Sequence, residues 1–78
     1  MNNQEKYLAA FVSALEVTPE EAPALQYGES VKWDSVGHMS LVAAVEDAFD
    51  VMLEMDDIID FSSYEKGKEI LRKYDVEI

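Results

Sequence analysis

The stretch "DSVGHMSLVAAVEDAF", residues 34 to 49, most constrains what this chain can fold into. Leu41, Val45 and Phe49 recur at i, i+4, i+8, with Val42 and Ala48 beside them, which predicts a helical face entering a core. Val36, Met39 and Ala43 recur at i, i+3, i+7 as a second apolar stripe, beginning directly after Ser35. Asp34 or Ser35 can cap the unpaired N–H groups of the first turn. A helix apolar on two neighbouring faces predicts one face buried and the other partly open to partners. The alternative is that a small bundle absorbs both.

The remaining segments keep the same period. Tyr7, Leu8, Phe11, Val12 and Leu15 form one stripe, with alanines between them, and predict a helix over about residues 3 to 16. Thr18, Pro19 and Glu21 make a capping box with proline at the first helical position, enough to start one short turn. From there to Trp33 a long loop is expected, with Gly28 marking an end. Leu25, Tyr27, Val31 and Trp33 are placed to pin it over the core, and Trp33 is read as a packing residue. Val51 to Leu53 is too isolated for a strand. Asp56 or Asp57 can open a brief turn through Ile58 and Ile59. Ser62 or Ser63 can cap a last helix over about 63 to 74, with Tyr64, Ile70, Leu71 and Tyr74 inward and Gly67 weakening it by roughly 1 kcal/mol. The sum is a single all-α domain over residues 1 to 78. It is a small four-helix bundle, three main helices plus a short one, with a long loop between the first two.

Composition narrows the function classes. The chain has 78 residues and no cysteine, which excludes disulfides and any thiol chemistry from the polypeptide itself. It carries 17 acids against 6 bases, net −11, so phosphate backbones are repelled and nucleic acid is not an expected partner. From Asp34 to Glu65 there is no Lys or Arg, while Lys66, Lys68, Arg72 and Lys73 cluster near the C-terminus. An acidic stretch of this kind is either a well-solvated face or a steering surface for cationic enzymes. No run of about 20 apolar residues is present to span a membrane, and "MNNQEKY" lacks the basic-then-apolar order of a secretory signal. A cytoplasmic monomer is expected.

Two kinds of chemistry fail on spacing. Asp34, Ser35 and His38 have the residue types of a hydrolytic triad, but two adjacent residues on the same side of His38 serve poorly to bridge an imidazole between serine and carboxylate. No catalytic residue is expected, and His38 is read as an exposed helix residue. The acidic "EMDDIID" lacks the ligand spacing, glycine and terminal glutamate of a calcium loop, and no dedicated metal site is expected.

Taken together, these residues resemble the acyl carrier protein family. That family's signature is Asp-Ser-Leu at the start of its second helix, followed by an apolar and acidic helix ending in Glu-x-x-Phe. Asp34, Ser35, Leu41, Val42, Val45, Glu46 and Phe49 match it without a gap. "IIDFSSYEKGKEIL" is similar to the approach to the family's fourth helix, and "VTPEE" fits the short helical signal before its long loop. The resemblance covers essentially the whole chain. It implies that a phosphopantetheinyl transferase attaches 4'-phosphopantetheine to Ser35, beside Asp34, and that acyl groups ride on the arm as thioesters. It also implies a recognition surface of Val36, Met39, Ala43, Glu46 and Asp47. That surface would meet acyl-loading and acyl-transfer enzymes whose patches are basic.

The chain departs from the pattern at Val36, where leucine is usual, at Ser40, where an acid is frequent, and at Trp33, where small residues are frequent. These departures point to a specialised bacterial carrier serving a dedicated fatty-acid, polyketide, cell-envelope or polysaccharide pathway. Peptidyl carriers usually have Gly-Gly-x-Ser instead. The rival from another class is an acidic decoy that imitates nucleic acid, for which the position of Ser35 would be accidental.

Overall fold

The computed structural model describes residues 2–29 and 32–78. Among these, four α-helices make an all-α bundle with no strand: α1 (Asn3–Leu15), α2 (Ser35–Phe49), α3 (Met55–Asp60) and α4 (Tyr64–Arg72). Three are long and α3 is short, as the periodicity predicts. The buried apolar side chains form one cluster, with Tyr7, Phe11, Trp33 and Phe61 wholly buried at its aromatic centre.

Three of the helices begin where a side chain can accept the otherwise unpaired N–H groups. Asn2 accepts from the Glu5 N–H at 2.8 Å, Asp34 from the Gly37 N–H at 2.8 Å, and Ser63 from the Lys66 N–H at 3.1 Å. The exception is α3, whose cap position is Glu54 with no side-chain cap. Asp56 and Asp57, expected as its opening residues, lie inside its first turn instead, where carboxylates favour the positive end of the helix dipole. The last helix stops at Arg72, two residues short of expectation, and passes into a turn.

α1 ends on Glu16 in the left-handed conformation, with φ of 55°. A side chain there is strained where glycine is free. Glu16→Gly is therefore expected to raise the melting temperature by about 4 °C, corresponding to roughly 0.5–1 kcal/mol. A melt followed by circular dichroism checks it, and a lower temperature would contradict it.

The loop after α1 is ordered by specific bonds. Thr18 and Glu21 form the reciprocal capping box, each backbone N–H donating to the other's side chain at 3.2 Å. The box leads into a single 3₁₀ turn, Ala22–Ala24. Gln26 then bridges Ser63, and the Tyr27 N–H donates to the Ser62 carbonyl at 2.9 Å. Gly28 turns the chain with φ of 86°. Trp33 closes the loop as the predicted packing residue, fully buried, with Leu25 half-buried and Tyr27 largely exposed. Val31, the fourth expected pin, lies outside the described residues.

The α3–α4 corner is held by Asp57, which is buried. Lys73 Nζ donates to one carboxylate oxygen and Tyr74 Oη to the other, while the Glu54 N–H donates to Tyr74 Oη at 2.9 Å. The Lys73 bond first, then that of Tyr74, holds the Asp57 carboxyl below the usual carboxylate range. A depressed folded value means stability that is present above the unfolded value of about 3.9 and lost as pH falls through the folded one. Lys73 is largely exposed, so the ion pair itself contributes little in water. Asp57→Asn is expected to lower the melting temperature by about 4 °C at pH 7, the gap to the parent closing as pH falls from about 5 to below about 3. A gap independent of pH would contradict the linkage.

Candidate functional site

The start of α2 is fixed from three sides. Trp33 is wedged edge-on against Phe11 at 5.3 Å and against Phe61 at 6.2 Å between ring centroids. Asp34, one residue on, has an extended backbone and caps the helix through its side chain, and its carbonyl accepts the His38 N–H at 2.8 Å. Gly37 sits where an added Cβ would run into the Lys32 carbonyl and press on Leu15. The loop therefore folds back against the first turn of α2 only because residue 37 has no side chain. Nothing in the local pattern marks that close approach; it depends on a loop residue five positions earlier and on the end of α1.

This framing leaves Ser35 as the first residue of α2 and exposed. It stands where first-turn N–H groups have no helical carbonyl to meet and the helix dipole favours a negative group. Ser35 also opens onto a cleft of about 360 Å³ between α2, α3 and the loop, lined by Tyr27, Ser35, His38, Met39, Ile58 and Ile59. Its walls are mostly apolar side chains, so the hydroxyl stands at the edge of an apolar recess.

His38 corrects the sequence reading. It is buried, 8% exposed. Trp33 Nε1–H donates to His38 Nδ1 at 3.0 Å, so the ring proton is carried on Nε2, which faces the Ile58 carbonyl at 2.7 Å. The ring ties the loop, α2 and α3 together. Both of its nitrogens are engaged away from Ser35 and Asp34, so the serine, histidine and aspartate do not assemble into a triad. The misreading came from treating position 38 as part of the polar helix start. The signal that would have found it is Trp33, five residues earlier, whose buried N–H needs an acceptor.

The expected recognition residues divide by their surroundings. Val36 and Met39 are 75% and 59% exposed, and Ala43 is exposed too, with Asp47 beside them on the same helix. The stripe after Ser35 is therefore open, while Leu41, Val42 and Val45 are buried. Glu46 is half-buried, and its carboxylate accepts the Leu53 N–H at 2.8 Å. It fastens the connection from α2 to α3, leaving less of it to offer a partner than exposure alone would suggest. Sequence reasoning passed over Met52, Met55 and Ile59, which are 85%, 75% and 71% exposed. Met55 and Ile59 stand at i, i+4 on α3, which was the available signal, while Met52 lies in the connection before that helix.

Among the described residues no group of three or more His, Cys, Asp or Glu side chains is arranged to hold a metal ion. No helix among them is long and apolar enough to cross a membrane. Comparison with known proteins returned no matching family model, no matching curated protein and no matching solved structure.

Proposed function

We propose that this chain is an acyl carrier, modified at Ser35 with 4'-phosphopantetheine and passing acyl groups between partner enzymes without catalysing a reaction itself. The observation that carries this reading is the exposed Ser35 hydroxyl, held at the N-terminus of α2 and opening onto the apolar cleft. The residues present fit the group. The serine is accessible, the helix end favours its phosphodiester, and no cysteine competes with an arm thiol.

In the attachment step the Ser35 oxygen forms a bond to the phosphorus of the 4'-phosphopantetheine of coenzyme A. The phosphoanhydride bond breaks, adenosine 3',5'-bisphosphate leaves, and the serine proton passes to a base of the transferase or to water. Once in place the arm supplies a thiol for thioester chemistry. The chain's own part is positional. Asp34 and Trp33 fix where the arm starts, and Val36, Met39, Ala43 and Asp47 give partners an apolar stripe with an acidic edge. With net charge −11, partners with basic patches approach favourably and nucleic acid does not. A cytoplasmic monomer in a dedicated bacterial pathway completes the reading.

The test is intact mass after incubation with a promiscuous phosphopantetheinyl transferase and coenzyme A. The parent chain gains about 340 Da, the formula mass of the arm, and Ser35→Ala gains nothing. An acidic decoy would be unchanged in both.

A further inference from the structure

Methionine is one of the residues most often fully buried, yet the three described methionines all lie open: Met39 is 59% exposed, Met52 85% and Met55 75%. None belongs to the buried cluster. Met39 differs from the other two by its position. It follows Ser35 by four residues on α2, so the thioether and the Ser35 hydroxyl share one helix face. It also lines the cleft onto which Ser35 opens, and neither Met52 nor Met55 is among the lining residues. An enzyme that reaches the Ser35 oxygen therefore covers Met39. The chain holds no cysteine to take an oxidant first, and its single tryptophan, Trp33, is wholly buried. The open thioethers are the groups an oxidant meets.

We infer that Met39 is a modification site: its oxidation to the sulfoxide by a hydroperoxide weakens the docking of enzymes that act at Ser35 and leaves the fold intact. The inference rests on the carrier reading of Ser35 and adds a means of regulation to it. In the step, the sulfur lone pair takes one oxygen of hydrogen peroxide, the O–O bond breaks, and the other oxygen leaves as water. Sulfur loses two electrons and the peroxide gains them. Two thiols of a sulfoxide reductase reverse it, becoming a disulfide while the oxygen leaves as water. Oxidation turns a flexible apolar side chain into a polar one. A partner groove closing over Val36 and Met39 would then strip water from the S–O group, which is disfavoured. Because Met39 stands outside the buried cluster, the core keeps its packing.

The experiment treats the full chain, before any arm is attached, with hydrogen peroxide and removes the excess with catalase. Peptide mapping reads a gain of about 16 Da on the fragment that holds Met39. The rate of arm attachment by a phosphopantetheinyl transferase is then measured against chain concentration. Oxidation is expected to lower kcat/KM about tenfold through KM, with kcat at saturation held within about twofold. Helical circular dichroism and melting temperature are expected to be unchanged. Reduction by the two methionine sulfoxide reductases, one for each epimer, restores the rate. Each variant is compared only with its own untreated form. Met39→Leu is expected to keep its rate after peroxide, and the double variant Met52→Leu/Met55→Leu to lose about as much as the parent. The inference is overturned by a Met39 that stays unoxidised, by an oxidised parent with its rate intact, by an equal loss in Met39→Leu, or by a loss of helix on oxidation. An untreated chain that takes no arm counts instead against Ser35 as the attachment point, and this regulation falls with it.

Discussion

Gly67→Ala is expected to destabilise the fold by about 3 kcal/mol, although alanine is the better helix former by roughly 1 kcal/mol. Gly67 lies mid-way along α4 and is buried. A Cβ there would collide with Tyr7 Oη and with the ring of Phe61, and neither can step aside, because both side chains are wholly buried. Tyr7 Oη also donates to the Tyr64 carbonyl at 2.6 Å, so pushing the phenol away breaks a buried hydrogen bond. Overpacking of this kind costs up to about 3 kcal/mol, the lost bond adds about 1 kcal/mol, and the gain in propensity offsets about as much. The melting temperature should fall by about 15 °C or more. An unchanged melt would show that α1 and α4 can separate without loss, and the tight packing of the core would be refuted.

His38→Leu is the second large effect. Leucine fills a similar space but leaves Trp33 Nε1–H without an acceptor and the Ile58 carbonyl without its donor. A buried indole N–H and a part-buried carbonyl left unpaired cost about 2–3 kcal/mol together, which corresponds to a fall of about 10–15 °C for a chain of this size. His38→Gln can accept from one side and donate to the other, and is expected to recover a large part of the loss. Trp33 is the chain's single tryptophan, so its emission reports the same contact independently and should shift in the leucine variant more than in the glutamine variant. If leucine proved as stable as histidine, the strap between the loop, α2 and α3 would contribute nothing.

These two residues show where local pattern stops carrying information. The caps, each narrowed to two neighbours of which Asp34 and Ser63 serve, and the buried stripes of α1 and α2 are legible because each depends on neighbours within a few turns, whereas which of the two α2 stripes stays open needed the fold. Gly67 reads from sequence as a defect in α4, and the structure shows why its lack of a side chain is required there: Tyr7, near the other end of the chain, occupies the space a side chain would need. His38 reads as solvent-facing because its partners, Trp33 and the Ile58 carbonyl, come from a loop and from α3. Glu46 reads as a free recognition acid, whereas the Leu53 N–H draws on its carboxylate. Asp57 reads as one acid among several, and its burial appears only when Lys73 and Tyr74 close over it from beyond the end of α4. In each case the missed property is a contact to a residue outside the helix that carries the side chain.

The candidate site divides in the same way. That Ser35 begins a helix behind an acidic cap is written in the chain. That it opens onto an apolar cleft with His38 in its lining is a product of how α3 and the loop dock. The charge distribution, by contrast, needed no fold to be read, since the absence of Lys and Arg from Asp34 to Glu65 places the acidic surface on α2 and α3 wherever those helices lie.

Proteolytic mapping of the chain after reaction with coenzyme A and a phosphopantetheinyl transferase asks most directly whether Ser35 is where the arm is attached. One adduct is expected, on the fragment that holds Ser35, with Ser40, Ser62 and Ser63 unmodified. An adduct on any of those other serines, or an unmodified Ser35 in a chain that is folded and mixed with active transferase, would contradict the assignment of this hydroxyl as the point of attachment.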